Sequence, residues 1–375
     1  MSAGLVPQPV RIIGAGLIGG SLGLCLSGQG VPVQVEDVSP GTTALAVELG
    51  VGTAAGPGLP EPGLVLVAAP PDVAAALVLR ALRDWPSAVV ADVASVKRTI
   101  LDGVRAGVAR GEVAPSDLAR YVGAHPMAGR EVSGVIAARG DIFQGRPFVV
   151  VPHEHTAARA VSAMRALALD LGSVAFTMDA DAHDDAVARV SHVPQITASL
   201  LAATLTATPE TALDLAGGGL RDTTRIAASD PRLWVEILGA NAAAIRPVLA
   251  EMAQHLGEVD EALASLAGTP DPAVGSRRAL AELISSGNAG VGRIPGKHGG
   301  ASDAFATITV LVPDRPGELA RLLGEIGEIG VNLEDLRLEH TLGRRVGLAH
   351  VSVAPGREAR LTTDLSARGW SVVEG

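Results

Sequence analysis

The sequence predicts an α/β protein with a doubly wound parallel sheet at the N-terminus, an all-helical middle and a C-terminal βαββαβ unit. Three observations predict it. In the first half, short β-branched runs alternate with Ala/Leu-rich stretches. Strands apolar along their whole length are buried on both faces, as in parallel sheets covered by helices. From about Ala182 long Ala/Leu segments carry helical spacing with few strand signals. From Phe305 to Gly375 strand-like and helical runs alternate again.

Val10–Ile13 is a short apolar run that ends at glycines, Ile18–Gly28 reads as a helix and Val31–Glu36 as a second strand. Ala44–Leu49 is helical. Leu64–Ala69 is a continuous apolar strand stopped by Pro70 and Pro71, and Asp72 suits the N-cap of a helix over Val73–Arg83. Ala88–Val93, Arg120–Gly123 and Pro147–Val151 add strands. The segments Ala182–Thr208, Pro209–Ala228 and Pro231–Leu266 read as helices, apolar enough to pack against a second copy of the chain. A Gly/Pro-rich stretch, roughly Gly268–Asp303, reads as a linker holding one short helix. In the tail, Phe305–Val312 is a strand, Pro316 suits a first helical position, and Leu319, Leu322, Leu323, Ile326 and Ile329 share one helical face up to Gly330. Strands Asn332–His340 and Val346–Val353, a helix over Arg357–Arg368 and a last strand complete a ferredoxin-like order. The expected divisions are 1–180, 181–285, a linker 286–303, and 304–375.

Composition excludes several classes. Lys plus Arg is 30 against 40 Asp plus Glu, a net charge of −10, where a nucleic-acid binder needs a basic face. Aromatic residues are 2%, too few for base-stacking platforms. Cys25 is the one cysteine, so no intramolecular disulfide forms and a reducing, cytoplasmic compartment fits. The N-terminus lacks the basic and apolar regions of a signal peptide, and no membrane-spanning run is expected.

Four constellations carry chemistry. Gly14-Ala-Gly16-Leu17-Ile18-Gly19-Gly20 follows a strand and opens a helix. Gly14 allows the tight turn, Gly16 lets the backbone approach a pyrophosphate, and Gly19 permits close helix–strand packing. The helix N-terminus supplies N–H groups and partial positive charge. Asp37, 18 residues past Gly19, suits the ribose hydroxyls and would repel a 2′-phosphate, favouring NAD; Glu36 is its rival. The alternative is a tight βα turn without ligand, but glycines, context and acid agree on a Rossmann dinucleotide site. With Ala69 and Pro70 of the next βα turn, these residues are the candidate cofactor-binding set. The second constellation is Asp92-Val-Ala-Ser95-Val-Lys97, where Ser95 either faces the nicotinamide region or caps a helix. Third is Gly123-Ala-His125-Pro126-Met127-Ala-Gly129. An alcohol losing hydride to NAD must also lose its O–H proton, and His125 is the candidate base. Fourth, the helical region carries Ser191-His192-Val-Pro194-Gln195 and Arg221-Asp222-Thr-Thr-Arg225. Arg225 suits a bidentate carboxylate clamp, the alternative being a solvated, ion-paired helix face. His183-Asp184-Asp185 reads as a surface acidic cap, with no metal-ligand set.

In order, GAGLIGGS, Asp37 in EDVSP, DVASVK, GAHPMAG, the His192 segment and GGGLRDTTRIAASDP resemble the prephenate/arogenate dehydrogenase family of tyrosine biosynthesis. The tail, with Asp314-Arg-Pro-Gly317 and Gly330-Val-Asn332, and the linker string from Pro295 look like those of members bearing an ACT domain, an amino-acid-sensing module. The resemblance implies NAD-dependent oxidative decarboxylation of prephenate to 4-hydroxyphenylpyruvate. It implies His125 as the proton acceptor, Ser95 hydrogen-bonded to the hydroxyl and to the His, and Arg225 on a substrate carboxylate. His192, Gln195, Glu131 and Trp234 would line the substrate site. Members using prephenate often carry a second His where this chain has Gln195; arogenate is the alternative substrate, and a β-hydroxyacid-type dehydrogenase the more distant one. The resemblance also implies a homodimer through the helical region, and an amino-acid effector at Asp314, Gly317 and Asn332.

Overall fold

The structure is a computed structural model and describes residues 5–129, 132–268, 275–295, 305–340 and 346–373. The chain divides into two compact units, Met1–Met252 and Ala253–Gly375.

The first unit is built on an eight-stranded sheet. Its strands are β1 (Val10–Ile13), β2 (Val33–Glu36), β3 (Thr53–Ala54), β4 (Leu64–Val67), β5 (Val89–Asp92), β6 (Tyr121–Pro126), β7 (Pro147–Val151) and β8 (Val174–Thr177). Their order is β3-β2-β1-β4-β5-β6-β7-β8. The helices are α1 (Leu17–Gly28), α2 (Pro40–Glu48), α3 (Pro71–Asp84), α4 (Arg98–Ala109) and α5 (Ala158–Asp170). The sheet carries an apolar core on each face. One includes Leu22, Leu26, Met164 and Leu167 from α1 and α5, the other Val78, Leu82, Ile100 and Val104 from α3 and α4. Strands such as β4, buried at all four positions, have no polar face because both sides are covered.

The expectation of a wholly parallel sheet is corrected at one ladder. β6 and β7 pair antiparallel, with His125 opposite Val149, while β7 and β8 are parallel to each other. A parallel neighbour needs a crossover helix. The connection from Met127 to Arg146 holds, where described, a single 3₁₀ turn at Val135–Ala137, so the chain returns beside β6 in the opposite direction. Strand β6 also runs three residues further than expected, which puts His125 inside the ladder. Asp72 does not cap α3: Pro70 is the N-cap, and the helix starts at Pro71, whose fixed φ suits its first position.

The helical region comprises α6 (Ala180–Val187), α7 (Val193–Thr204), α8 (Glu210–Leu213), α9 (Gly218–Thr224), α10 (Pro231–Ala240) and α11 (Ala242–Gly268). The expected segment Ala182–Thr208 is broken by a π turn at Ala188–His192, and α10 and α11 are separate at Asn241. No single described helix is long and apolar enough to cross a membrane.

In the second unit α12 (Ser276–Val291) precedes β9 (Ala306–Pro313), α13 (Glu318–Ile329), β10 (Leu333–His340), β11 (Val346–Val353), α14 (Glu358–Ala367) and β12 (Ser371–Val373). The antiparallel sheet order β10-β11-β9-β12 is that of the ferredoxin-like βαββαβ unit. Val310, Leu322, Ala349, Val351, Leu361 and Leu365 form its core. Gly317 and Gly330 bracket α13, both in the left-handed region that favours glycine.

Candidate active site

The site is built at the C-terminal ends of β1, β4, β5 and β6, where an open α/β sheet leaves its ligand crevice. The turn after β1 is shaped by two glycines whose positions leave no room for a side chain. Gly14 has φ +100°, and a Cβ there would enter the Ala68 carbonyl; a Cβ on Gly19 would enter the Gly14 carbonyl. Gly16 differs, since a Cβ there meets nothing within 4 Å. That opening lies on the crevice. Gly16 is the N-cap of α1, no side chain caps the helix, and no acid sits in its first turn. First-turn N–H groups with no capping side chain make an anion site.

Gly16, Leu17 and Ile18 line a cavity of about 530 Å³, together with Ala69 and Pro70 after β4 and Ser95 after β5. His125, His192 and Trp234 stand on the same cavity, and so do Asp230 and Ser133. A dinucleotide fits this frame: glycines close the turn, the helix end is open, and a carboxylate stands at the tip of β2. Glu36 is not that carboxylate, because Arg11 at 2.5 Å and Arg80 both pair with it. Asp37 stands beyond it and accepts from the backbone N–H groups of Ala15 and Ser39, each at 2.9 Å. Gly14, Gly19 and Asp37 therefore shape the glycine turn and do not line the cavity itself. A larger open groove at Arg98, Arg105 and His153 lies apart from this turn, and there Arg98 and Arg105 are paired with Asp181 and Glu154.

His125 is 9% exposed and ends a chain of three side chains. Its Nδ1 is 2.9 Å from His183 Nε2, and His183 Nδ1 is 2.8 Å from Asp184 Oδ1. Asp184 also takes the backbone N–H groups of Lys97 at 2.8 Å and Arg98 at 2.9 Å. Burial holds the His125 imidazole well below its ordinary pKa, helped by His183, Lys97 and His192 nearby. Burial lowers His183 as well. Burial pushes the Asp184 carboxyl up, but the bonds from His183, Arg98 and Lys97 outweigh it and hold it below the usual range. Two neutral rings and one carboxylate result.

A buried scaffold lies behind the base. The Lys97 ammonium pairs with Asp92 and donates to the Ala124 carbonyl at 2.7 Å, one residue before His125. The Tyr121 hydroxyl donates to the other Asp92 oxygen at 2.8 Å. Lys97 is also the N-cap residue of α4, so Ser95 is not that helix's cap and its hydroxyl is left to the cavity.

The π turn puts His192 against the opposite wall. Asn241 Nδ2 lies 2.8 Å from the Asp184 carbonyl and 3.0 Å from His192 Nδ1. A carbonyl only accepts, so the Asn241 nitrogen, not its oxygen, faces both. His192 Nδ1 is therefore an acceptor and Nε2 carries the hydrogen. That Nε2 is buried and meets no acceptor within the described residues. Burial lowers His192 to about 4, so it is a neutral donor. Its ring meets Trp234 edge to face at 6.1 Å.

Several expected residues fall elsewhere. Gln195 is buried behind the wall, its amide 3.4 Å from the Ser199 hydroxyl, and does not line the cavity. Arg225 is exposed on the 3₁₀ turn after α9, outside the cavity wall. Glu131 lies outside the described residues. In the second unit Asp314 and Gly317 stand at one end of the sheet and Asn332 at the other. The ladder pairs Leu333 with Val353 and Val353 with Ala306, the first residue of β9, whereas Asp314 follows its last. Seven residues of strand, about 23 Å, separate them, so one chain does not gather these three into one site. His183 and Asp184 are not a surface cap: both are buried. The signal was present, since Ala180, His183, Asp184 and Val187 are spaced as one helical stripe and all four are buried. Asn241, at the break between α10 and α11, carries no such pattern.

Residues 22–177 match the family described as "Prephenate dehydrogenase, nucleotide-binding domain", and residues 179–269 match "Prephenate dehydrogenase, dimerization domain". The chain is 35% identical over 365 residues to the probable prephenate dehydrogenase NovF of Streptomyces niveus, covering 96% of this chain and 98% of that one. Among solved structures it is similar to prephenate dehydrogenase from A. aeolicus in complex with hydroxyphenyl propionate and NAD+. The TM-score is 0.63 at 26% identity, covering 76% of this chain and 99% of that one. It is also similar to Synechocystis arogenate dehydrogenase, with a TM-score of 0.58 at 25% identity, covering 75% and 99%.

Proposed function

The chain belongs to the prephenate dehydrogenase family, and we propose that this cavity carries out the NAD-dependent oxidative decarboxylation of prephenate to 4-hydroxyphenylpyruvate. The protein is an NAD-dependent oxidoreductase. The observation that carries the reading is one neutral imidazole, His125, set on the same cavity as the open N-terminus of α1.

Bound NAD supplies the acceptor for the hydride that leaves the hydroxyl-bearing ring carbon. The chain's residues do the rest. Gly16 and the first turn of α1 receive the pyrophosphate, and Asp37 takes the ribose hydroxyls. His125 accepts the hydroxyl proton on the nitrogen not engaged by His183, as the C=O forms. Ser95 orients that hydroxyl. Loss of the ring carboxylate as carbon dioxide aromatises the ring and leaves a phenolate oxygen, to which the protonated His125 returns its proton, so the imidazole ends neutral. Nε2–H of His192 offers a neutral donor to the substrate, and the Trp234 face excludes water beside it. Arogenate is the alternative substrate. His192 is neutral and Gln195 lies off the wall, so neither adds a charge that would select an amino group, and this favours the keto acid.

The reading extends to a homodimer through 179–269 and to a cytoplasmic location, the latter supported by the single cysteine. It also takes the βαββαβ unit as an ACT domain that responds to an aromatic amino acid, supported by its strand order and the glycine turn at Gly317. NADH absorbance, followed with NAD and either prephenate or arogenate, tests the reaction. Faster turnover of arogenate overturns the substrate choice, and no turnover of either overturns the reading. Titrating the enzyme with tyrosine and phenylalanine tests regulation; rates indifferent to both remove the effector.

A further inference from the structure

We propose that Asp184 and His183 are positioning residues that fix the tautomer of His125, so that its cavity-facing nitrogen holds a lone pair. The proposal rests on reading His125 as the base.

The argument starts from an acceptor that cannot donate. Asp184 Oδ1 faces the Lys97 backbone N–H and His183 Nδ1, and Oδ2 faces the Arg98 backbone N–H. An ionised carboxylate only accepts, so the hydrogen between Asp184 and His183 sits on His183 Nδ1. The neutral His183 ring then holds its lone pair at Nε2. That nitrogen is 2.9 Å from His125 Nδ1. Two ring nitrogens at this distance form a hydrogen bond only when one carries the hydrogen, so His125 Nδ1 carries it. A neutral His125 is left with its lone pair at Nε2. One acceptor thus decides the state of a base two rings away, by the logic that orients the His of a hydrolytic triad.

Burial makes the choice binding. His183 is 0% and Asp184 1% exposed, so water does not stabilise the opposite tautomer. Asn241 holds the Asp184 carbonyl from the other side. Asp184 also has a structural duty, because the two N–H groups it accepts belong to Lys97 and Arg98 at the start of α4. The test must separate the two roles.

The experiment uses the full chain with ¹⁵N-labelled histidine and long-range ¹H–¹⁵N spectra, which distinguish protonated from bare ring nitrogens. His125 is assigned by its missing signals in His125→Gln. The expected wild-type spectrum has hydrogen on Nδ1 of both His125 and His183. His183→Phe, which keeps a ring in place, is expected to scramble the His125 tautomer. It should lower kcat roughly 10²-fold, as a misaimed catalytic group does, with KM for NAD and substrate within about twofold of wild type. A wild-type His125 carrying its hydrogen on Nε2 overturns the proposal. So does a folded His183→Phe enzyme with unchanged kcat, or one that loses stability and binding while His125 keeps its tautomer. Should His183→Phe fail to fold, the wild-type spectrum alone decides. Failure of the base reading looks different: His125→Asn would then retain turnover whatever the spectrum shows.

Discussion

Replacing Lys97 by Met removes one partner of an ion pair in which Lys97 is 2% and Asp92 0% exposed at the side chain. Burial holds the Lys97 pKa below its ordinary value, and the Asp92 carboxylate beside it pulls it part of the way back toward the charged form. In Lys97→Met the carboxylate retains the Ala94 N–H and the Tyr121 hydroxyl but has no cation. An uncompensated buried charge of this kind costs about 3–5 kcal/mol, a large share of the ~5–15 kcal/mol that holds a domain folded. For a unit of this size the melting temperature should fall by about 6–20 °C. Asp92→Asn should cost less, because Lys97 can lose its proton and still donate to Ala124. The double variant Asp92→Asn/Lys97→Met should be more stable than Lys97→Met, with a coupling of about 1 kcal/mol or more. Urea unfolding of the four proteins closes the cycle. Strict additivity, or a Lys97→Met cost below about 1 kcal/mol, would refute the reasoning.

The remaining predictions concern the site itself. His125→Asn should lower kcat by about 10²- to 10⁴-fold with the NAD affinity little changed; a rate near wild type in the NADH assay removes the base. Gly16→Ala should leave the fold intact, since its methyl meets only open space, yet weaken NAD binding about tenfold or more in a titration. Gly19→Ala, driven into the Gly14 carbonyl, should instead cost roughly 1–3 kcal/mol of stability. If the two variants behave alike, the division between cradle and packing glycine fails. His125, His183 and His192 are all buried with lowered pKa. The unfolded chain therefore binds protons near pH 6.5 that the native state refuses, and stability should fall as pH drops below about 6.5. For His192 the loss extends down to about 4; flat stability from pH 7.5 to 5 in denaturant titrations would contradict this. Arg225→Ala should leave KM for prephenate and kcat near wild type, because Arg225 is exposed outside the cavity wall. A KM raised about tenfold or more with kcat unaltered would instead make it a substrate clamp.

Much of this was legible in the chain because local chemistry dictates it. The glycine turn needs residues without Cβ, and Gly14 and Gly19 show why atom by atom. The βαββαβ unit alternates strongly enough for β11 to be bounded at Val346 and Val353 in both readings. What escaped depends on partners distant in sequence. The reversal of β7 follows from a missing crossover helix, not from the strand's own residues. The two-residue β3, Thr53–Ala54, lacks an apolar signal, and β8, apolar as Val-Ala-Phe-Thr, is exposed at every position and too short to stand out. His183 and Asp184 read as a surface acidic cap because their partners are distant: the backbone donors to Asp184 come from Lys97 and Arg98, 87 and 86 residues earlier, and His183 meets His125. Sequence position leaves Glu36 as a rival to Asp37, and only the fold removes it, by pairing it with Arg11 and Arg80.

The antiparallel ladder beside β6 has a consequence for how substrate choice evolves. His125 lies in register with Val149, so its backbone is stitched to a neighbour and not suspended on a loop. A base mounted this way has little freedom to follow a substrate of another shape. Accommodation must come from the opposing wall, built by the π turn and α10. Substitutions that retune which cyclohexadienyl acid is accepted should therefore gather in the π turn and α10, while the end of the sheet stays as it is.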